Sequence, residues 1–80
     1  MTSRSRRYTL LGFDSTHDAL DAEALLGDLG IEVVPIPAPK VLGSLCGIAL
    51  RIDPRDYGKA QRYLQNARIA IKSQAEVEDV

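Results

Sequence analysis

The hydrophobic pattern of the chain alternates between short apolar runs and stretches of helical periodicity. Apolar and aromatic residues dominate from Arg7 to Phe13, which predicts a first strand. The run ends at Asp14-Ser15-Thr16, whose side chains can cap a helix. Apolar residues spaced three and four apart then predict the helix, and Gly30 is expected to end it. Its predicted buried residues are Ala19, Ala22, Leu25, Leu26 and Leu29.

The middle of the chain predicts two more strands. The segment from Ile31 to Ile36 is short and β-branched. Pro35 and Pro37 are typical of an edge strand, because proline cannot donate a hydrogen bond to a ladder. The segment from Ile48 to Ile52 alternates large apolar residues with Ala or Arg, which predicts a third strand with one apolar face.

A second helix is predicted to begin at Asp53. Asp53 is a capping residue, Pro54 suits the first helical position, and Asp56 stands where the acid of a capping box belongs. Ile69 and Ile71 are expected to begin a final strand. The predicted buried face of the second helix consists of Tyr57, Ala60, Leu64 and Ala67.

The element order predicts an α+β fold. The order β-α-β-β-α-β within 80 residues is that of the ferredoxin-like βαββαβ two-layer sandwich, with both helices on one face of a four-stranded antiparallel sheet. Residues 1–6 are expected to form a basic N-terminal arm, residues 7–73 the domain, and residues 74–80 an acidic tail able to extend the last strand. In the usual strand order, 4-1-3-2, the first strand ends where the third begins.

The composition fits one small soluble domain. With 45% hydrophobic residues, 26% charged residues and a net charge of -1, the chain has a small core and leaves dimerisation open. The charge balance gives no reason to expect nucleic acid. No apolar run approaches the ~20 residues that span a bilayer, and the N-terminal segment lacks the apolar stretch of a signal peptide. We therefore expect a cytoplasmic protein without a membrane partner.

The one cysteine, Cys46, stands in a loop-like segment directly before the third strand. A single cysteine excludes an internal disulfide, a Cys-x-x-Cys redox pair and a thiolate zinc cluster. A thiol at a loop-to-strand junction is open to solvent and to partners. The alternative interpretation is a buried, structural Cys46, because free cysteine is among the most buried residue types.

The predicted topology brings Cys46 close to Ser15, Thr16 and His17 at the start of the first helix. A helix N-terminus presents unpaired N–H groups and roughly half a positive charge, which favour a thiolate. The pKa of Cys46 is therefore expected to lie below the ~8.5 of a free cysteine. If His17 contributes, His17→Ala is expected to raise that pKa.

Other residues of the loop suggest supporting roles. Lys40 could add positive charge, Ser44 could donate a hydrogen bond to the sulfur or to an anion, and Gly47 would allow close approach of a partner. Each has an ordinary alternative as a solvated charge or a turn residue, and His17 as a surface residue. One cysteine and one histidine do not complete a zinc or copper shell, so neither a metal nor a cofactor is expected.

Several of these segments together resemble the small domains called putative selenium/sulfur carrier-like proteins. The resemblance covers about Tyr8 to Ile71 and implies that Cys46 is the cysteine of that family. Lys40 stands where members more often show arginine, and Gly43 stands where a small polar residue is expected. The segments are Ser15-Thr16-His17-Asp18-Ala19-Leu20, Ala22-Glu23, Pro37-Ala38-Pro39-Lys40, Ser44-Leu45-Cys46-Gly47-Ile48-Ala49-Leu50-Arg51 and Asp53-Pro54.

The first functional hypothesis is a sulfur or selenium carrier. Cys46 would accept the cargo as a persulfide from a donor protein and pass it to an acceptor protein. The chain would then be a carrier or accessory protein rather than a stand-alone enzyme. Leu20 and Ala24, opposite the buried face of the first helix, could contribute to docking.

The second hypothesis is a non-catalytic binding or regulatory module. Domains of this fold can dimerise through the sheet face that carries no helices, and apolar residues there favour a buried interface. Leu11, Phe13 and Ala49 are expected on that face. Fold alone does not choose between the two hypotheses.

Overall fold

The structure is a computed structural model that describes residues 6–43 and 47–79. Its regular elements there are two helices, four strands and two short 3₁₀ turns, at Lys40–Leu42 and Pro54–Asp56. None of the helices in the described residues combines the length and the hydropathy that a membrane-spanning segment needs. The helices and strands are β1 (Arg6–Gly12), α1 (Thr16–Asp28), β2 (Val34–Pro37), β3 (Ile48–Ile52), α2 (Tyr57–Asn66) and β4 (Ser73–Asp79).

The strands form one antiparallel sheet in the order β2-β3-β1-β4. This confirms the predicted two-layer arrangement and its strand order. β2 is an edge strand, as Pro35 and Pro37 predicted. Gly12 at the end of β1 pairs with Ala49 at the start of β3 and with Ser73 at the start of β4. The end of β1 and the starts of β3 and β4 therefore lie together, at what we call the loop end of the sheet.

Helix α1 begins and ends as its sequence predicts. The Ser15 side chain accepts a hydrogen bond from the backbone N–H of Asp18 at 3.1 Å, which satisfies one of the unpaired donors of the first turn. At the other end Gly30 has a φ of 83°, and its N–H bonds to the carbonyl of Gly27 at 3.0 Å. The predicted face packs on the sheet: Ala19, Ala22 and Leu26 are fully buried, and Leu25 and Leu29 are partly buried against them.

Helix α2 follows a 3₁₀ turn. The carboxylate of Asp53 accepts a hydrogen bond from the Arg55 N–H at 2.8 Å and so caps this turn, as its position predicted. Pro54 occupies the first position of the turn, and α2 itself begins at Tyr57, three residues after the predicted first helical position. The same carboxylate hydrogen-bonds the Arg55 guanidinium and, with its charge, raises the pKa of Arg55. Ala60 and Leu64 are buried as predicted. Ala67 is exposed instead, because it is the C-terminal cap where the helix leaves the sheet.

The last strand begins later than predicted. β4 starts at Ser73, whereas Ile69 and Ile71 lie in the connection and pack, partly buried, against the core on the helix side. These two residues supply apolar contacts without joining a ladder. β4 continues to Asp79, so residues 74–79 belong to the sheet and pair with β1.

Both faces of the sheet carry a hydrophobic cluster. On the helix side the cluster includes Leu11, Phe13, Leu50 and Ile52. The expectation that Leu11 and Phe13 lie on the open face is therefore wrong, because the ladder register turns Leu10, not Leu11, to that side. Ala49 does lie on the open face as expected. The open-face cluster consists of Leu10, Leu42 and Ala49, with Ile36, Ala38, Ala75 and Val77 packed around them.

Candidate functional site

The predicted site residues that the structure describes lie at the loop end of the sheet. α1 begins there with Ser15, Thr16 and His17, because it follows directly from the end of β1. The connection from β2 to β3, which carries Lys40 and Gly47, lies at the same end, because β3 begins beside Gly12. The topology thus brings the two predicted halves of the site to one end of the molecule.

The start of α1 is open to solvent and His17 points along the helix. The His17 side chain is 84% exposed, and its Nε2 lies 3.2 Å from Oδ2 of Asp21, one turn further on. Thr16 is exposed, while Ser15 is half-buried and engaged as the helix cap. No hydrogen bond or ion pair joins these residues to Lys40 in the described part of the chain.

The stem of the β2–β3 loop is held in place on the open face. The Ala38 N–H bonds to the Gly47 carbonyl at 3.0 Å, which extends the β2–β3 ladder by one bond into the loop. Leu42, in the 3₁₀ turn, is 5% exposed and packs on Leu10 and Ala49. The described part of the loop therefore leaves the sheet as a paired stem that Leu42 anchors on the open face. Lys40, at the start of the turn, is exposed.

Gly43 marks the exit from that turn. Its φ is 80°, in the left-handed region that favours glycine, and its N–H bonds to the Lys40 carbonyl at 2.9 Å. A side chain at this position would strain the backbone. This gives a physical reason for glycine where the family resemblance led us to expect a small polar residue.

Ser44 and Cys46 lie outside the described residues. The predicted proximity of Cys46 to His17 therefore stays a prediction, as do the roles of Ser44, Lys40 and Gly47. The neighbours on both sides of the segment are described: Gly43 lines a crevice with Gly12 and Phe13, and Gly47 is paired to Ala38.

That crevice at the loop end contains a polar atom that the sequence did not reveal. It is too narrow to hold a water molecule. Oγ of Ser73 is buried in it, and none of the residues that the structure describes forms a hydrogen bond with it. A Cβ added to Gly12 would collide with that oxygen. No sequence signal marks Ser73, because a serine at the start of a strand has no motif. The crevice is lined by Gly12, Phe13, Ala38, Leu42, Gly43, Ile48 and Ser73.

Charged residues complete the loop end. Nζ of Lys72 lies 3.4 Å from Oδ2 of Asp14, and the Lys72 N–H bonds to the Gly12 carbonyl at 2.9 Å. These contacts tie the start of β4 to the turn before α1. Arg68, just after α2, and Lys40 are exposed cations at the same end. In residues 6–43 and 47–79, no three His, Cys, Asp or Glu side chains are grouped as a metal site would require.

Comparison with known proteins gives one finding. The model of the family described as putative Se/S carrier protein-like matches residues 8–76. The match spans both helices and both sides of the loop, and it includes the one cysteine. No curated protein and no solved structure matches the chain.

Proposed function

Because the chain belongs to the putative Se/S carrier protein-like family, we propose that it carries sulfur or selenium on the thiol of Cys46. The observation behind this proposal is that the family match over residues 8–76 contains a single cysteine. A protein that carries sulfane sulfur needs a thiol, and this chain offers no other.

The loading step is a transfer between two sulfur atoms. The Cys46 thiolate attacks the outer sulfur of a donor protein's persulfide, the S–S bond of the donor breaks, and the donor cysteine leaves as a thiolate. The new S–S bond leaves Cys46 as a persulfide, with no net oxidation or reduction and no cofactor. Selenium transfers in the same way when the outer atom of the donor is selenium.

The surroundings of the loop support this role in two ways. The start of α1 contributes positive potential at the loop end, which favours a thiolate there. The stem of the loop is anchored on both sides, since Leu42 is buried and the Ala38 N–H bonds to the Gly47 carbonyl. A carrier of this kind exposes its thiol to donor and acceptor proteins and requires no deep pocket.

The test is the intact mass of the protein after incubation with a cysteine desulfurase and cysteine. We expect a gain of one sulfur atom that dithiothreitol removes. Cys46→Ser is the matched control and should gain nothing under the same conditions. A wild-type protein that gains no mass, or a Cys46→Ser variant that gains as much, would contradict the carrier function.

A further inference from the structure

The two helices carry opposite charges. α1 has four carboxylates and no lysine or arginine, and no such cation occurs anywhere from Asp14 to Glu32. α2 has Lys59 and Arg62 and no carboxylate, and none occurs from Tyr57 to Lys72. Acidic and basic side chains are therefore completely separated between the two helices and the segments that flank them, apart from the single histidine, His17.

In the described residues, the opposite charges of the two helices do not pair with each other. The two helices pack side by side, yet no ion pair joins α1 to α2 among the residues described. Within α1 the one ion pair is the local contact of His17 with Asp21. Asp28, Lys59 and Arg62 are exposed without an oppositely charged partner in the described chain.

The outward face of α1 also carries apolar surface. Leu20 is 48% exposed and Ala24, one turn later, is exposed as well. Asp21 and Asp28 lie on the same outward face of α1. Arg62 lies on the outward side of α2, opposite the buried Ala60 and Leu64. The outer surface of the helix pair, which we call the helix face, is thus acidic on one half and basic on the other.

We propose that the helix face binds the helix face of a second copy of this chain. We place the two helix faces against each other, related by a two-fold axis parallel to the helices. In this arrangement α1 of each copy lies against α2 of the other copy. The interface then contains two equivalent contacts between an acidic and a basic helix. A two-fold axis across the helices would instead set α1 against α1 and repel. The charge pattern therefore selects one dimer, in which the loop ends of both copies lie at the same end.

The size of the helix face makes this a weak, salt-sensitive dimer. A helix the length of α1 is about 20 Å long and a pair of helices is about 20 Å wide, so each copy contributes roughly 400 Å². A standard stable interface uses about 800 Å² per partner. Screening by salt acts strongly on such exposed charges.

Sedimentation velocity over a range of protein concentrations tests the proposal. At low salt we expect the wild-type average mass to rise from monomer toward dimer with concentration. Raising the salt to about 0.5 M should weaken association by about tenfold or more. A chain that stays monomeric at low salt over the whole range overturns the proposal.

Two charge-reversed variants identify the interface. One reverses α2 with Lys59→Glu and Arg62→Glu, and the other reverses α1 with Asp21→Lys and Asp28→Lys. Each variant alone places like charges opposite each other and should be monomeric. Mixed in equal amounts they restore both attractive contacts, so the mixture should dimerise, which also shows that both variants are folded.

Val34 lies two residues before Ile36 in β2 and therefore on the same open face of the sheet. Val34→Asp is the matched control and should dimerise like the wild type. Two results overturn the proposal. One is a mixture of the reversed variants that does not associate. The other is a wild-type dimer that Val34→Asp dissociates while both reversed variants keep it, because the interface would then be the open face.

Discussion

At the scale of single residues, Gly12 and Ser73 approach each other closely at the loop end. They face each other across the β1–β4 ladder, and the Ser73 hydroxyl fills the space that a side chain at position 12 would need. That hydroxyl is buried and forms no hydrogen bond within the described part of the chain. A buried polar atom without a partner costs free energy that its removal can return.

This pair gives a double-mutant prediction. Gly12→Ala should lower the free energy of unfolding by about 1 to 2 kcal/mol, because its Cβ displaces the Ser73 hydroxyl. Ser73→Ala alone should be neutral or stabilising. The double variant should recover most of the Gly12→Ala loss, which chemical denaturation of the four proteins would measure. Strictly additive effects would show that the two residues do not compete for this space.

The thiol of Cys46 carries the second residue-scale prediction. The His17 imidazole contacts Asp21 one turn further along the helix. We therefore expect the positive potential that acts on the Cys46 thiol to come from the backbone N–H groups at the start of α1 rather than from the imidazole. We expect the alkylation rate of Cys46 to titrate with a midpoint below about 8.5 and to change little in His17→Ala. A wild-type midpoint at or above that of a free cysteine would contradict thiol activation, and a clear rise in His17→Ala would assign the effect to His17.

At the scale of elements, the two helices end in the same hydrogen-bond pattern with different residues. After α1 the left-handed position is Gly30, and after α2 it is Arg68, with a φ of 63°. The Ile69 N–H bonds to the Leu64 carbonyl at 2.9 Å, just as the Ile31 N–H bonds to Leu26. An L-residue in this conformation costs about 1 kcal/mol or more.

Arg68→Gly should therefore stabilise the protein. We expect a gain of about 0.5 to 1 kcal/mol in the free energy of unfolding, because glycine adopts the left-handed conformation without steric cost. Arg68→Ala removes the same charge but keeps the side-chain clash, so it should give no such gain. Thermal or chemical unfolding of the wild type and the two variants measures these free energies. Equal stabilities of the Gly and Ala variants would refute the explanation by backbone conformation.

The 3₁₀ turn before the loop supplies the second element-scale prediction. Leu42 is 5% exposed, whereas its neighbour Val41 is 67% exposed. Leu42→Ala should cost about 2 kcal/mol, because it opens the cluster formed with Leu10 and Ala49. Val41→Ala should lie within about 0.5 kcal/mol of the wild type. Denaturation midpoints that fall equally in both variants would show that burial of Leu42 does not anchor the turn.

At the scale of the whole molecule, the fold was predictable because its signals are local. The caps at Ser15 and Asp53, the glycine after α1 and the prolines of β2 each act on a few neighbouring residues, and the structure confirms them. The assignment of Leu10 and Leu11 to opposite faces was not predictable in this way. Both are apolar and both are buried, so only the pairing of β1 with its neighbours decides which one meets the helices.

The remaining differences have the same origin in long-range contacts. Ile69 and Ile71 look like a strand by composition, but they lie before the ladder that β4 forms with β1 from Ser73 onward. The crevice around Ser73 forms only when three separate segments meet. The sequence located the loop and its surroundings, whereas the buried hydroxyl, the anchor at Leu42 and the orientation of His17 depend on the folded arrangement.

The prolines of β2 also determine how this sheet can meet another protein. The N–H of Ala38 donates toward β3, to the carbonyl of Gly47. In a strand, the N–H groups of every second residue point to the same side. Pro35 and Pro37 therefore occupy the positions whose N–H groups would point away from β3, toward solvent. At these two positions the outer edge of β2 therefore offers backbone carbonyl groups that accept hydrogen bonds but no N–H groups that donate them. On the opposite margin, β4 alternates exposed Gln74, Glu76 and Glu78 with its apolar residues. An incoming strand meets an incomplete set of hydrogen-bonding groups at the β2 edge and the charged side chains of Glu76 and Glu78 at the β4 edge. Both features protect the protein against uncontrolled strand-to-strand polymerisation.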